Sequence, residues 1–158
     1  RDGERCFIKL VGEIRHGLSP AFDALLDRLL VDDAIRSYVL DLSETKFLDS
    51  TNLGLLAKIA RHSIGVGHGR PTLVSLDASV NTLLLSMGFD EAFDIIDTPL
   101  DSGAGLHELG KGEVSTEGKA RVLLEAHRAL AEMNEKNREA FQNVVDMLEQ
   151  RMEDDSLD

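Results

Sequence analysis

The chain has 158 residues, 42% of them hydrophobic, which suits one ordinary domain with a core plus an accessory segment. Its formal net charge of −12 argues against binding to nucleic acid or to anionic membranes, because both need clustered Lys and Arg. Cys6 is the single cysteine, so no intramolecular disulfide can form, which fits a reducing cytoplasm. No apolar run approaches the roughly 20 residues that cross a bilayer, and no secretion signal opens the chain.

Strand and helix patterns alternate from the start of the chain. Residues 5–11 are typical of a strand. Ser19 followed by Pro20 indicates a helix start, since serine is a good N-cap and proline suits the first helical position. Residues 35–42 are rich in β-formers and nearly continuously apolar at their centre, as expected of a strand that is covered on both faces.

The alternation continues through two more strands. Polar residues 49–52 precede a stripe of apolar residues at helical spacing, which ends in a glycine-rich turn. Residues 72–76 predict a third strand, Asp77 caps a third helix, and residues 92–97 offer a last short strand. The sequence therefore predicts one α/β domain over residues 1–98, with a small, mostly parallel or mixed sheet and helices packed on it.

The composition changes after this domain. Residues 99–118 carry five glycines and predict a linker. Residues 119–153 are dominated by good helix formers and predict one long amphipathic helix. A seven-residue repeat places Leu123, Leu130, Asn137 and Val144 at one seam position, with an asparagine at one of its four sites, and Ala126, Met133, Ala140 and Met147 at the position three residues on. This stripe either docks on the domain's own surface or mediates self-association or binding to a partner helix.

The reactive groups of an enzyme are not apparent. Five histidines are scattered without a metal-ligand spacing, namely His16, His62, His68, His107 and His127. The glycine-rich turn follows a helix and lacks the motifs of a phosphate-binding loop. We therefore expect a binding or switching protein with no metal and no cofactor, rather than an enzyme.

The polar run from Asp49 to Asn52 lies between a strand and a helix. Ser50 is a good N-cap, a role worth about 1 kcal/mol. A helix N-terminus also presents unpaired N–H donors and a partial positive charge, which tolerate a phosphate. Phosphorylating Ser50 would add about −1.5 to −2 charges beside Asp49. A partner that docks against the neutral hydroxyl would then be repelled, while the fold survives.

Three stretches of the chain carry a family resemblance. They are "GEI" at residues 12–14, "YVLDLSETKFLDSTNLGLL" at 38–56 and "LVSLDASVNTLLLSMGFDEAFDI" at 73–95. Together they resemble the STAS domain family, in its bacterial anti-sigma-factor antagonist branch. The most diagnostic element of that family, a strand followed by Asp-Ser-Ser/Thr-Gly-Leu-Gly and a helix, stands here at residues 49–54. Asn52 replaces the usual glycine.

The resemblance implies a phosphorylation switch. In the family, the serine after the aspartate is phosphorylated by a partner kinase that often doubles as the anti-sigma factor, and a PP2C-type phosphatase removes the phosphate. Carried over, Ser50 is the switch, and the unphosphorylated protein binds the anti-sigma factor and so frees a sigma factor. Thr51 is the weaker acceptor candidate. The implied partner-binding residues are Asp49, Ser50, Thr51, Asn52 and Gly54.

Two other roles remain open at this point. The same domain serves as an accessory part of transporters, and a third possibility is a structural module whose tail helix assembles homo-oligomers. Substituting Ser50 by Asp separates these roles. It should abolish binding of the main partner if Ser50 is a switch, and should change little if Ser50 is only a cap, because Asp caps helices as well as Ser does.

Overall fold

The computed structural model describes residues 3–101 and 115–157. Residues 102–114 lie outside the described residues, so that part of the predicted linker over 99–118 stays a prediction. Its end was placed too late, because a helix already begins at Thr116. In the part of the chain that is described, no helix is both long enough and apolar enough to cross a membrane.

The described residues form an α/β fold with a helical C-terminal part. The strands are β1 (Arg5–Ile14), β2 (Ser37–Leu48), β3 (Thr72–Val74) and β4 (Asp94–Ile96), and the helices are α1 (Ser19–Leu30), α2 (Ser50–Gly65), α3 (Ala78–Ser86), α4 (Phe89–Ala92), α5 (Thr116–Met133) and α6 (Glu135–Ser156). The sheet has the order β1-β2-β3-β4, and each neighbouring pair is parallel. The predicted α/β class, with a mostly parallel sheet, is confirmed.

The first two strands extend beyond their predicted ends and fix the start of α2. β1 and β2 stay paired as far as Ile14 and Leu48. Thr45 is fully buried between them, and its hydroxyl donates to the Leu10 carbonyl at 2.7 Å. The backbone N–H of Asp49 then donates to the Ile14 carbonyl at 3.2 Å. The polar run that precedes α2 is therefore held at the end of a long strand pair.

The hydrophobic core includes part of the C-terminal region. One continuous cluster joins the sheet and α1 to α4 with the α5 residues Val122, Ala126 and Leu130. Ala126 and Leu130 have no exposed surface. The sequence left open whether the tail docks on the domain or binds another chain. In the structure, α5 is docked on the domain's own surface.

The tail forms two helices, so the prediction of one helix over residues 119–153 is wrong. α5 ends at Met133, and Asn134 has extended backbone angles, φ −162° and ψ 168°. The Asn134 side chain accepts from the Asn137 N–H at 2.8 Å and donates to the Met87 carbonyl at 3.2 Å. Asparagine favours such caps because its side chain competes with helical hydrogen bonds. Neither glycine nor proline marks this break, so helix propensity alone did not reveal it.

The chain reverses at this break, and α6 packs back on α5. A second apolar cluster lies between the two helices and is made by Leu124, Val145 and Leu148. Arg128 adds an ion pair to Glu149 at 2.7 Å. The predicted apolar stripe is therefore divided between the domain core and the contact of the two tail helices, except for Ala140 and Met147, which are exposed.

Asn137 attaches the turn between α5 and α6 to the domain. The residue is 1% exposed, and its side-chain amide donates to the Met87 carbonyl at 2.8 Å. We expect Asn137→Ala to lower the free energy of unfolding by about 1–3 kcal/mol, because it removes a buried amide and one of the two side-chain hydrogen bonds to the Met87 carbonyl. Urea denaturation measures this. Asn143→Ala, at an exposed position on α6, is the control and should change stability by less than about 0.5 kcal/mol.

Stability should fall at alkaline pH, in part through Tyr38. Burial raises the pKa of this phenol above 10.0, and its hydroxyl donates to the Leu29 carbonyl at 3.1 Å. The pKa of Tyr38 is higher in the folded than in the unfolded protein. The stability that the neutral phenol contributes is therefore fully present below pH 10.0 and is lost as the pH rises through the folded pKa. Tyr38→Phe should flatten this decline in urea titrations. Tyr38 is the only tyrosine, so phenolate absorbance follows its ionisation directly.

Candidate functional site

The polar run at the start of α2 is the candidate site, and Asp49 is its N-cap. Asp49 has an extended backbone, and its side chain accepts from the Asn52 N–H at 2.9 Å. Ser50 is the first residue inside the helix. The prediction that Ser50 is the cap is therefore wrong, because an equally good acceptor stands one position earlier. The Ser50 hydroxyl is left for another contact.

That contact is with a histidine from α5. Ser50 Oγ lies 3.0 Å from His127 Nε2, and His127 Nδ1 lies 2.7 Å from the Leu123 carbonyl. A carbonyl can only accept, so Nδ1 carries a hydrogen, and in the neutral ring Nε2 accepts the hydrogen of the serine. His127 is 6% exposed, and the Phe141 ring of α6 lies edge-on to it at 5.8 Å. Ser50, the candidate switch residue, is therefore hydrogen-bonded to α5.

Sequence reasoning missed His127 as a member of the site. It lies 77 positions after Ser50, in a segment where the sequence predicted only a helix. It follows Ala126 by one residue and so lies beside the predicted apolar stripe, not in it. A polar ring next to that stripe was the available signal, but nothing in the sequence indicated which side chain it would meet.

Thr51 and Asn52 point into the protein. Their exposed fractions are 4% and 0%. Asn52 accepts from the Ser19 hydroxyl at 3.2 Å, and its side-chain amide donates to Asp49 Oδ1 at 2.9 Å. The asparagine that replaces the family glycine thus ties the start of α1 to the start of α2. Ser19 serves this bond and does not cap α1, whose cap position is held by Leu18.

Gly54 lies where the backbones of α2 and α5 approach each other closely. A Cβ built on Gly54 would lie 2.1 Å from the Ala126 carbonyl oxygen and 2.7 Å from the Ala126 Cα. Only glycine lets the two helix backbones come this close. Among the predicted partner-binding residues, Gly54 is therefore covered by the chain's own tail, and partial exposure remains at Asp49 and Ser50.

Charged side chains flank this helix crossing. Lys58 of α2 contacts Asp23 at 3.0 Å, Asp27 at 3.1 Å and Glu125 of α5 at 3.8 Å. Burial on its own would lower the pKa of Lys58, but the hydrogen bonds that its ammonium donates to the two aspartates, together with their charges, outweigh burial, and the pKa is raised above 10.5. The lysine therefore stays protonated and joins α1, α2 and α5.

A groove of about 420 Å³ lies beside these ion pairs. Only charged side chains line it, four basic and three acidic, namely Asp27, Lys58, Arg61, Arg121, Glu125, Arg128 and Glu132. The mixed signs largely neutralise each other, so the groove does not concentrate one charge. Across residues 3–101 and 115–157, no three His, Cys, Asp or Glu side chains cluster in a way that could hold a metal ion.

Comparison with known proteins identifies the domain that carries this site. The family model of the STAS domain matches residues 1–101, which is more than half of the chain. No curated protein matches the chain significantly. The matched segment contains all four strands of the sheet, the helices α1 to α4 and the candidate site, whereas α5 and α6 lie beyond it. The chain therefore belongs to the STAS domain family.

Proposed function

We propose that the protein is a phosphorylation-controlled partner-switching regulator, a binding module and not an enzyme, and that Ser50 is its switch. When unphosphorylated, it binds an anti-sigma factor that is also a serine kinase, and this binding releases a sigma factor in the cytoplasm. Phosphorylation of Ser50 ends the binding. A PP2C-type phosphatase restores it.

The position of the Ser50 hydroxyl carries the proposal. It belongs to the first residue of α2, which keeps partial exposure, and it is not needed to cap the helix because Asp49 does so. A helix N-terminus favours negative charge, so a phosphate there is compatible with the fold. The same phosphate adds charge and bulk at the surface where a partner would dock. Thr51 is a weaker acceptor, since it is 4% exposed.

Mass spectrometry of the protein from its native cells tests the acceptor. We expect a phosphate on the peptide that contains Ser50, absent from a Ser50→Ala version expressed beside it. A Thr51→Ala version should keep the phosphate, which separates the two neighbouring hydroxyls. If no phosphate appears under any growth condition, including in cells without the phosphatase, Ser50 is not a switch.

A second measurement tests the consequence for partner binding. We expect Ser50→Asp to lose the anti-sigma factor and kinase, and Ser50→Ala to keep it, in pull-down from native cells. Both variants should unfold within about 1 kcal/mol of the parent, because the cap at Asp49 is untouched. A partner retained equally by both variants would instead favour a role in a transporter-associated complex or a structural assembly, which are the alternatives for this domain.

A further inference from the structure

α5 covers the face of α2 that begins with Ser50. Ser50, Gly54, Lys58 and Arg61 are spaced by four, four and three residues, so they share one face of the helix. We call these four residues the α2 stripe. Each of them contacts α5: the partners are, in order, His127, Ala126, Glu125 and Glu132.

The cover is too close for another helix to share the stripe. Gly54 meets the backbone of Ala126 with no room for a methyl group. Ala126 and Leu130 have no exposed surface, and both belong to the domain's core cluster. A partner that binds the α2 stripe must therefore take the place of α5.

The hydroxyl of Ser50 is engaged by the same helix. Its Oγ is 3.0 Å from His127 Nε2, and the ring is held by the Leu123 carbonyl on one side and by Phe141 of α6 on another. A phosphoryl group that approached Ser50 Oγ from the side of His127 would collide with the imidazole ring. Transfer to Ser50 in that direction requires His127 to move away.

We propose that the α2 stripe is a helix-docking surface that α5 occupies as an intramolecular competitor, so that α5 must undock before a partner or kinase can engage Ser50. This rests on the proposed function of Ser50. The contacts of α5 also specify what can replace it: a helix with a small residue opposite Gly54 and carboxylates opposite Lys58 and Arg61. The free energy needed to undock α5 then determines how readily a partner or kinase can engage Ser50.

Thiol labelling of the full chain tests the cover without any partner. A Ser50→Cys version carries one probe at the contact with His127 of α5, and the native Cys6, 5% exposed in β1, reports unfolding of the domain itself. The reagent is a bulky polyethylene-glycol maleimide, and peptide mass spectrometry assigns each labelled site. We expect both thiols to react slowly in this version.

Leu130→Ala loosens the contact of α5 with the domain, and Leu148→Ala is its matched control in the cluster between α5 and α6. We expect Leu130→Ala to speed labelling at position 50 by at least about tenfold while Cys6 stays protected, and Leu148→Ala to have a smaller effect. Unchanged labelling at position 50 would overturn the proposal. So would equal acceleration at both thiols, because α5 would then not open apart from the domain.

Phosphorylation separates this inference from the proposed function. In extract of the native cells supplied with ATP, the initial rate at Ser50 should rise by about tenfold in Leu130→Ala. A measurable rate that is equal in Leu130→Ala and the parent would overturn the competition and leave the switch intact. No phosphate at Ser50 in any version would overturn the switch, and the labelling result alone would then decide whether α5 gates the α2 stripe.

Discussion

Gly54→Ala should destabilise the protein by about 2 kcal/mol or detach α5 from the domain. The added methyl group would lie 2.1 Å from the Ala126 carbonyl oxygen, and a backbone cannot give way as a side-chain end can. Overpacking of this kind typically costs about 1–3 kcal/mol, and here it outweighs the gain of about 1 kcal/mol in helix propensity. Urea denaturation measures the loss, and amide hydrogen exchange shows whether α5 has lost its protection.

Gly65→Ala provides the matched control for this substitution. Gly65 lies at the end of the same helix, and nothing lies within 4 Å of the position its Cβ would take. The change should therefore leave stability equal or raise it by up to about 1 kcal/mol. If both variants behaved alike, the close approach of α2 and α5 would not exist in solution.

Lys58→Met should lower the free energy of unfolding by about 3 kcal/mol. The substitution keeps the length of the apolar stem but leaves Asp23, whose side chain is 4% exposed, without its ammonium partner at 3.0 Å. Breaking a buried ion pair from one side is costly because the remaining charge stays desolvated. Denaturation at neutral pH measures the effect. Adding Asp23→Asn should recover much of the loss, since the buried charge is then removed.

A second ion pair between α2 and α5 supplies the control. Arg61 and Glu132 are joined at 2.7 Å, but their side chains are 54% and 56% exposed. Arg61→Met should therefore cost less than about 1 kcal/mol, because solvent screens the pair and replaces its contacts. If Arg61→Met lowered the free energy of unfolding as much as Lys58→Met does, burial would not determine the strength of these two ion pairs.

Much of the domain could be predicted from local patterns. Strand and helix alternation predicted the α/β class and the parallel sheet, and Asp77 caps α3 as expected, accepting from two backbone N–H groups. The ends of β1 and β2 were placed too early, since their outer residues alternate between buried and exposed and resemble ordinary loop composition. Pairing between the two strands, which sequence periodicity does not reveal, extends them to the start of α2.

The candidate site was found in part. The run from Asp49 to Gly54 was identified from its composition and its resemblance to the STAS family. The identity of the cap was wrong by one residue, since Asp and Ser are nearly equivalent caps and only the backbone angles at Asp49 distinguish them. The break at Asn134 was also missed, because the residues on both sides favour helix and the interruption is stabilised by a carbonyl of the distant Met87.

The sequence by itself determined the family, the α/β class and the serine at the start of α2, because these depend on residue types at short spacing. Only the tertiary structure decided where the tail lies and what Ser50 touches. Contacts such as Ser50 to His127 and Gly54 to Ala126 join residues more than seventy positions apart. They depend on how two helices pack across each other, a geometry that is selected by the whole core and not by either segment.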